Sequence, residues 1–203
     1  LHGEDSDEWR YMVKGLFPKE GGVLEGVWMP LISREEIKYT DDVGRLLNPR
    51  LGVDPAGEGS DFSSFVLRDN FKAKIVATES KSTPKTVAER CLTISTYYGV
   101  QPQNVTIDNF GIGANVSQEI ALATVQRVRA INVGDRADDS DRFTNKRSEC
   151  YWRLREWLIK GGQLVKHIGW NQLFTIYYKR NLSGKIQIMS KEEMSKHGWS
   201  SPD

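Results

Sequence analysis

The chain has 203 residues, with 28 lysines and arginines set against 27 aspartates and glutamates, a formal net charge of +1. That length suffices for one large domain, or one domain with an appendage, around a real core. Near-neutrality excludes recognition of a polyanion by bulk charge, so any such affinity must come from local clusters.

Two cysteines, Cys91 and Cys150, have neither metal-ligand spacing nor a disulfide framework, and both read as small core residues of a reduced compartment. The sequence holds no uninterrupted apolar span long enough for a membrane, no signal-peptide pattern and no internal repeat, which predicts a soluble, cytoplasmic protein.

Residues 1–49 differ from the rest. An acidic cluster (LHGEDSDEW) and a turn-rich LFPKEGG precede VLEGVWMPLISREEIKYT, in which Ser33 and Glu36 have the spacing of a capping box. This reads as a lead-in segment packed on the outside of a main domain spanning 50–203.

From Arg50 the pattern becomes regular. RLGVD and SSFVLRDN are short apolar runs joined by PAGEGSD, and KAKIVATES follows with Ala73, Ile75 and Ala77 on one face. Three sequential antiparallel strands are expected. In TPKTVAERCLTISTYYGV, Pro84 suits the first helical position after Thr83, Val87, Cys91, Ile94 and Tyr98 form one stripe, and Gly99 ends the helix.

NVTIDN predicts a fourth strand, GIGANVSQEIALATV a helix opened by glycines, and VRAINV a fifth strand. SECYWRLREWLIKGG is an amphipathic helix with Tyr151, Leu154 and Leu158 inward; Trp152, Trp157 and Trp170 read as packing residues. A GKIQIMS strand and a short KEEMSKHG helix lead to SSPD. The order of strands and helices predicts a mixed α/β sheet.

Asp54 and Asp108 each end an apolar strand. In open α/β sheets, reactive groups gather at strand ends where neighbouring connections diverge. If the two strands are adjacent, the carboxylates face each other, which raises their pKa or calls for a cation between them. Oxygen ligands without nearby His or Cys favour Mg²⁺ or Mn²⁺ over Zn²⁺. Taken alone, Asp54 before Pro55 and Asp108 before Asn109 also suit turns. Asp203, in SSPD, suits the first turn of a helix capped by Ser201.

GVDPAGEGSD, VTIDNFGIG, the RFTNKRSECYWRLREWLIKGG block and GKIQIMSKEEMSKHGWSSPD together resemble the nuclease domain of the large terminase subunit of tailed bacteriophages. EWRYMVKGLFP is similar to the segment that follows the ATPase domain in that family. The resemblance implies a ribonuclease H-like mixed sheet, three antiparallel strands then parallel strands, flanked by helices. It also implies a metal-dependent endonuclease that cuts concatemeric viral DNA during packaging in the host cytoplasm.

By that resemblance the acidic triad falls on Asp54, Asp108 and Asp203, with Asp61 a secondary ligand, and holds two Mg²⁺ or Mn²⁺ ions. Its partners would be double-stranded DNA, an upstream packaging ATPase domain, the small terminase subunit and the capsid portal. No G-x-x-x-x-G-K-[ST] loop is present, so the ATPase is not in this chain. Family members continue past the last acid into a helix, whereas this sequence stops at Asp203.

Candidate DNA contacts are Arg142, Lys146 and Arg147, in the segment expected beside the strand ends, and Lys191 and His197 before the last acid. Ser190 and Glu193 also form a capping-box pattern, and a solvated loop and a surface histidine are the plainer readings of the rest. Two rival functions stay open. GIGANV partly matches a dinucleotide fingerprint but has Val116 at the third glycine and lacks the later acid. A non-catalytic DNA-docking module is the other.

Overall fold

A computed structural model describes residues 27–41, 44–57, 59 and 61–196. The strands are β1 (Met29–Pro30), β2 (Lys38–Thr40), β3 (Arg50–Asp54), β4 (Phe62–Arg68), β5 (Lys72–Ser80), β6 (Val105–Asp108), β7 (Arg129–Ile131), β8 (Gln163–Val165), β9 (Tyr177–Arg180) and β10 (Ile186–Ile188). The helices are α1 (Pro84–Tyr98), α2 (Gly113–Thr124), α3 (Lys146–Ile159) and α4 (Lys191–Lys196).

Seven strands form one sheet in the order β2-β8-β5-β4-β3-β6-β7, and β1-β9-β10 form a second. The expected antiparallel run β3-β4-β5 is present, and β6 and β7 join β3 in parallel. Two antiparallel hairpin steps followed by parallel crossovers through helices make this a ribonuclease H-like mixed sheet.

Local chemistry accounts for the boundaries. The Thr83 hydroxyl accepts the Thr86 N–H at 3.2 Å while the Thr86 hydroxyl accepts the Thr83 N–H at 2.9 Å, which satisfies donors that the first turn of α1 leaves open. Gly99 closes that helix in the left-handed region, φ 68°, where glycine carries no Cβ penalty. Helix α3 starts earlier than the apolar pattern suggests, because the Asn145 side chain caps it by accepting the Ser148 N–H at 2.9 Å.

The sheet separates two cores, and alternation lets β4 contribute to both. Leu51, Val53, Phe65, Leu67, Val105 and Ile107 pack against Val87, Cys91 and Ile94 of α1 and Val116 and Ile120 of α2. On the opposite face, Val66, Ile75 and Ala73 meet Leu158 of α3, Leu164, Trp170 and the second sheet. A shift in the β4/β5 register, where Phe65 pairs with Ala77 but Val66 with Ile75, reverses one expectation. Ala73 and Ile75 share the α3 side, as read from sequence, but Ala77 packs on the α1 side because the extra residue turns the strand over.

Residues before 50 contribute strands as well as packing: β1 pairs with β9, and β2 pairs in parallel with β8 at the sheet edge. Met29, Leu31, Ile32 and Ile37 belong to the α3-side core. Strand β8 follows Gly161 (φ 99°) and Gly162, whose missing Cβ would stand 2.4 Å from the Trp157 ring. Cys91 is buried as expected, and burial pushes its thiol up to about 11. Cys150, also read as a core residue, is exposed, since α3 turns that position away from the apolar stripe.

Candidate active site

Strands β3 and β6 are parallel neighbours in the register Leu51↔Val105, Gly52↔Thr106 and Val53↔Ile107. One step further, Asp54 stands beside Asp108 at roughly the interstrand spacing of 5 Å between backbones. Alternation sets both carboxylates opposite the Val53 and Ile107 side chains, on the face that α3 covers. They meet at the point where the connections from β3 and β6 part: β3 runs on into the hairpin to β4, and β6 into α2.

A cleft of about 880 Å³ opens there, lined by Asp54, Asp61 and Asp108, by Asn132 and Asp135 after β7, and by Arg147, Tyr151, Lys191 and Glu192 from the far side. Solvent reaches Asp54 through the cleft, while protein crowds its other sides. This burial, with the negative charges of Asp108 and Asp61, raises the Asp54 carboxyl to about 6; the Lys191 ammonium offsets part of the effect. The electrostatic conflict expected from two adjoining carboxylates is therefore present at Asp54.

The loop after Asp108 is held by backbone contacts. The Phe110 N–H donates to the Asp108 carboxylate at 3.2 Å, and the Gly113 N–H to the Phe110 carbonyl at 3.0 Å. A Cβ on Gly113 would lie 1.8 Å from the Asp108 carbonyl oxygen, so only glycine fits. The GIGANV pattern is thus accounted for by the approach of α2 to the Asp108 backbone.

Arg147 reaches the cleft from the first turn of α3. Its guanidinium donates to the Met189 carbonyl at 2.5 Å and lies over the Tyr151 ring at 5.4 Å. Burial raises the Tyr151 hydroxyl pKa, against the neighbouring Arg147 charge, and the phenol stays neutral. Lys191 opens α4, where the Ser190 hydroxyl accepts the Glu193 N–H at 3.1 Å. The Glu193 carboxylate accepts the Trp28 indole N–H at 3.3 Å, tying this helix to the β1 side.

The other proposed cations are placed differently. Lys146 is bonded to Asp138 at 2.6 Å and Glu149 at 3.0 Å, with its side chain only 13% exposed. Arg142 pairs with Glu156 at 3.1 Å and Asp139 at 3.8 Å. Neither is among the cleft-lining residues. His197 and Asp203 lie outside the described residues. Among the described residues no three His, Cys, Asp or Glu side chains gather tightly enough to hold a metal ion.

Sequence reasoning did not single out Asn132, Asp135, Tyr151 or Glu192 as cleft residues. Only Asn132 and Asp135 carried a readable signal, polar residues just past a strand that parallels β6. Tyr151 has the spacing of a core residue, and its position over Asp54 follows from how α3 crosses the sheet.

The chain thus combines a ribonuclease H-like sheet with two aspartates at the ends of neighbouring parallel strands. No protein-family model matches the chain, and no curated protein sequence is significantly similar to it. Among solved structures, the chain has the fold of phage terminase nuclease domains. The nuclease domain of the large terminase subunit of bacterial virus Sf6 superposes with a TM-score of 0.70 at 19% identity, over 86% of this chain and 94% of that one. A mutant of the Sf6 domain with manganese gives 0.69 at 18% identity over the same shares. The large terminase nuclease of thermophilic phage G20c with bound magnesium gives 0.50 at 18% identity, over 76% of this chain and 75% of that one.

Proposed function

We propose that this chain is a divalent-metal-dependent DNA endonuclease that cuts concatemeric viral DNA during genome packaging. The observation that carries the reading is the placement of Asp54 beside Asp108 on neighbouring parallel strands, under a cleft whose far side offers Arg147 and Lys191. The terminase-nuclease fold gives that placement a chemical context.

The donor set fits a hard cation. Asp54, Asp108 and the nearby Asp61 offer oxygen alone, and no His or Cys lines the cleft among the described residues. Asp54 and Asp108 would hold Mg²⁺ or Mn²⁺, with Asp203 the third ligand of a two-ion site and Asp61 a secondary one. When bound, such ions stabilise charge on the attacking and leaving oxygens of a phosphodiester and lower the pKa of a bound water. Arg147, oriented by the Met189 carbonyl and the Tyr151 ring, presents a guanidinium to a phosphate, and Lys191 adds a point charge beside Asp54.

In this reading the substrate is double-stranded DNA in the host cytoplasm. The upstream packaging ATPase domain, the small terminase subunit and the portal bring it to the cleft. Supercoiled-plasmid nicking in Mn²⁺ tests the proposal. The chain nicks, and Asp54→Asn and Asp108→Asn each lower the rate about a hundredfold or more, the scale of removing one charge-stabilising group. Equal nicking by all three proteins would sink the carboxylate mechanism.

A further inference from the structure

We infer that Phe62 and Phe110 form a stacking platform on the rim of the cleft for the bases of a locally unpaired DNA strand, so that the site takes its scissile phosphate from an opened duplex. The inference rests on the nuclease reading and adds to it the state of the substrate.

Phe62 is 48% and Phe110 is 74% exposed, and both line the cleft that holds Asp54 and Asp108. A single exposed apolar side chain is ordinary. Two phenyl rings, one at the start of β4 and one in the loop after β6, both lining one acidic cleft, make a more specific arrangement. They are carried on a braced frame. Next to Phe62, the fully buried Ser63 hydroxyl donates to the Ala56 carbonyl at 3.1 Å and accepts the Ala56 N–H at 2.9 Å, closing the β3/β4 loop at its base.

Phe110 is fixed through its own N–H to the Asp108 carboxylate. The two connections run close together: a Cβ on Gly57 would meet Ile112 at 3.6 Å, and one on Gly113, at the start of α2, would meet Pro55 at 3.7 Å.

The cleft thereby offers two chemistries to two parts of a nucleotide. Arg147 and Lys191, from α3 and α4, suit phosphate, while the phenyl rings at the start of β4 and after β6 suit a base face. In a paired duplex both faces of every base are already stacked on neighbours. A phenyl ring gains a base face only when the strand is opened, at a cost that stacking on protein aromatics offsets.

Fluorescence anisotropy with the full chain tests this, using a labelled duplex and the same duplex carrying a central unpaired bubble, with Ca²⁺ in place of Mn²⁺. The chain binds the bubble about tenfold more tightly than the paired duplex, the scale of one base stacked on an aromatic ring. Phe62→Ala and Phe110→Ala each remove most of that preference and leave paired-duplex affinity unchanged, and Phe110→Trp keeps it.

Equal affinity of the unaltered chain for both DNAs overturns the platform and leaves these rings as a protein-facing surface. So does an equal loss on both DNAs in the alanine variants, or a preference that survives both substitutions. Plasmid nicking in Mn²⁺ is run alongside. Absence of nicking counts against the nuclease reading, whereas nicking without a bubble preference counts against the platform alone.

Discussion

Gly113 and Val125 bound helix α2, and each constrains the molecule through a single backbone position. At Gly113 any Cβ would overlap the Asp108 carbonyl oxygen. Gly113→Ala is therefore expected to cost about 2 kcal/mol or more, because a rigid backbone atom must give way. Urea denaturation measures that cost. Since the displaced atom belongs to Asp108, the proposed nuclease function predicts that Mn²⁺-dependent nicking falls further than lost stability alone explains. Val125 ends the helix at φ 58° with its side chain 94% exposed. A β-branched residue pays there for a left-handed backbone without gaining any packing. Val125→Gly is expected to raise stability by about 1 kcal/mol, seen as a higher urea midpoint with an unchanged slope.

Among the elements, α3 is tied to the loop before it through Glu149. This carboxylate is 1% exposed; it accepts the Asp138 N–H at 2.8 Å, the Lys146 ammonium at 3.0 Å, and the Arg153 guanidinium at 3.0 and 2.5 Å. Burial alone would raise its pKa. The hydrogen bonds from Arg153, Lys146 and the Asp138 backbone outweigh burial and bring the carboxyl down from 4.5 to about 2.

Because the folded-state value lies below the unfolded one, the stabilisation is complete above the unfolded pKa near 4.5 and is lost as pH falls from there through about 2. Urea midpoints measured between these limits are expected to fall with pH, and to fall less in Glu149→Gln. At neutral pH that variant is expected to lose about 3 kcal/mol, because Arg153 loses its carboxylate and Lys146 keeps only Asp138. The network also commits Lys146 to carboxylates while its neighbour Arg147, on the next position of the helix, reaches the cleft.

At the scale of the whole molecule, one sheet separates two cores, and both rest on the same central strands. Phe65, fully buried on the α1 side, is in β4, and Val66 on the same strand packs on the α3 side. Phe65→Ala should cost about 3–5 kcal/mol. The loss is expected to appear equally in far-UV circular dichroism and in the fluorescence of Trp152, Trp157 and Trp170, which lie in the opposite core. Separate midpoints for the two probes would show that the cores unfold independently.

How much of this was legible beforehand depended on the range of the interactions involved. Strands β3 to β6 and helix α1 were readable because alternation, the Thr83-Pro84 cap and the closing Gly99 are local signals. Strand β8 was not, because three residues carry too little pattern and its place between β2 and β5 depends on pairing with remote strands. Simple alternation puts Ala77 on the face of Ala73 and Ile75, because a register shift leaves no mark on composition. Residue type alone favours burial of Cys150; the phase that exposes it comes from the packing of α3.

The same division holds for the site. The sequence by itself determined the chemistry on offer: two aspartates ending apolar strands, oxygen donors without His or Cys around them, and lysines and arginines within reach. Tertiary structure decided which of these groups act together. It set Asp54 beside Asp108, brought Arg147, Tyr151 and Lys191 over them, committed Lys146 to Glu149, and turned Phe62 and Phe110 toward the cleft. The reason is physical: residue type and spacing fix what a side chain can do and which face it takes. The distance between groups far apart in the chain is set by strand order and helix crossing, which arise from the packing of both cores at once.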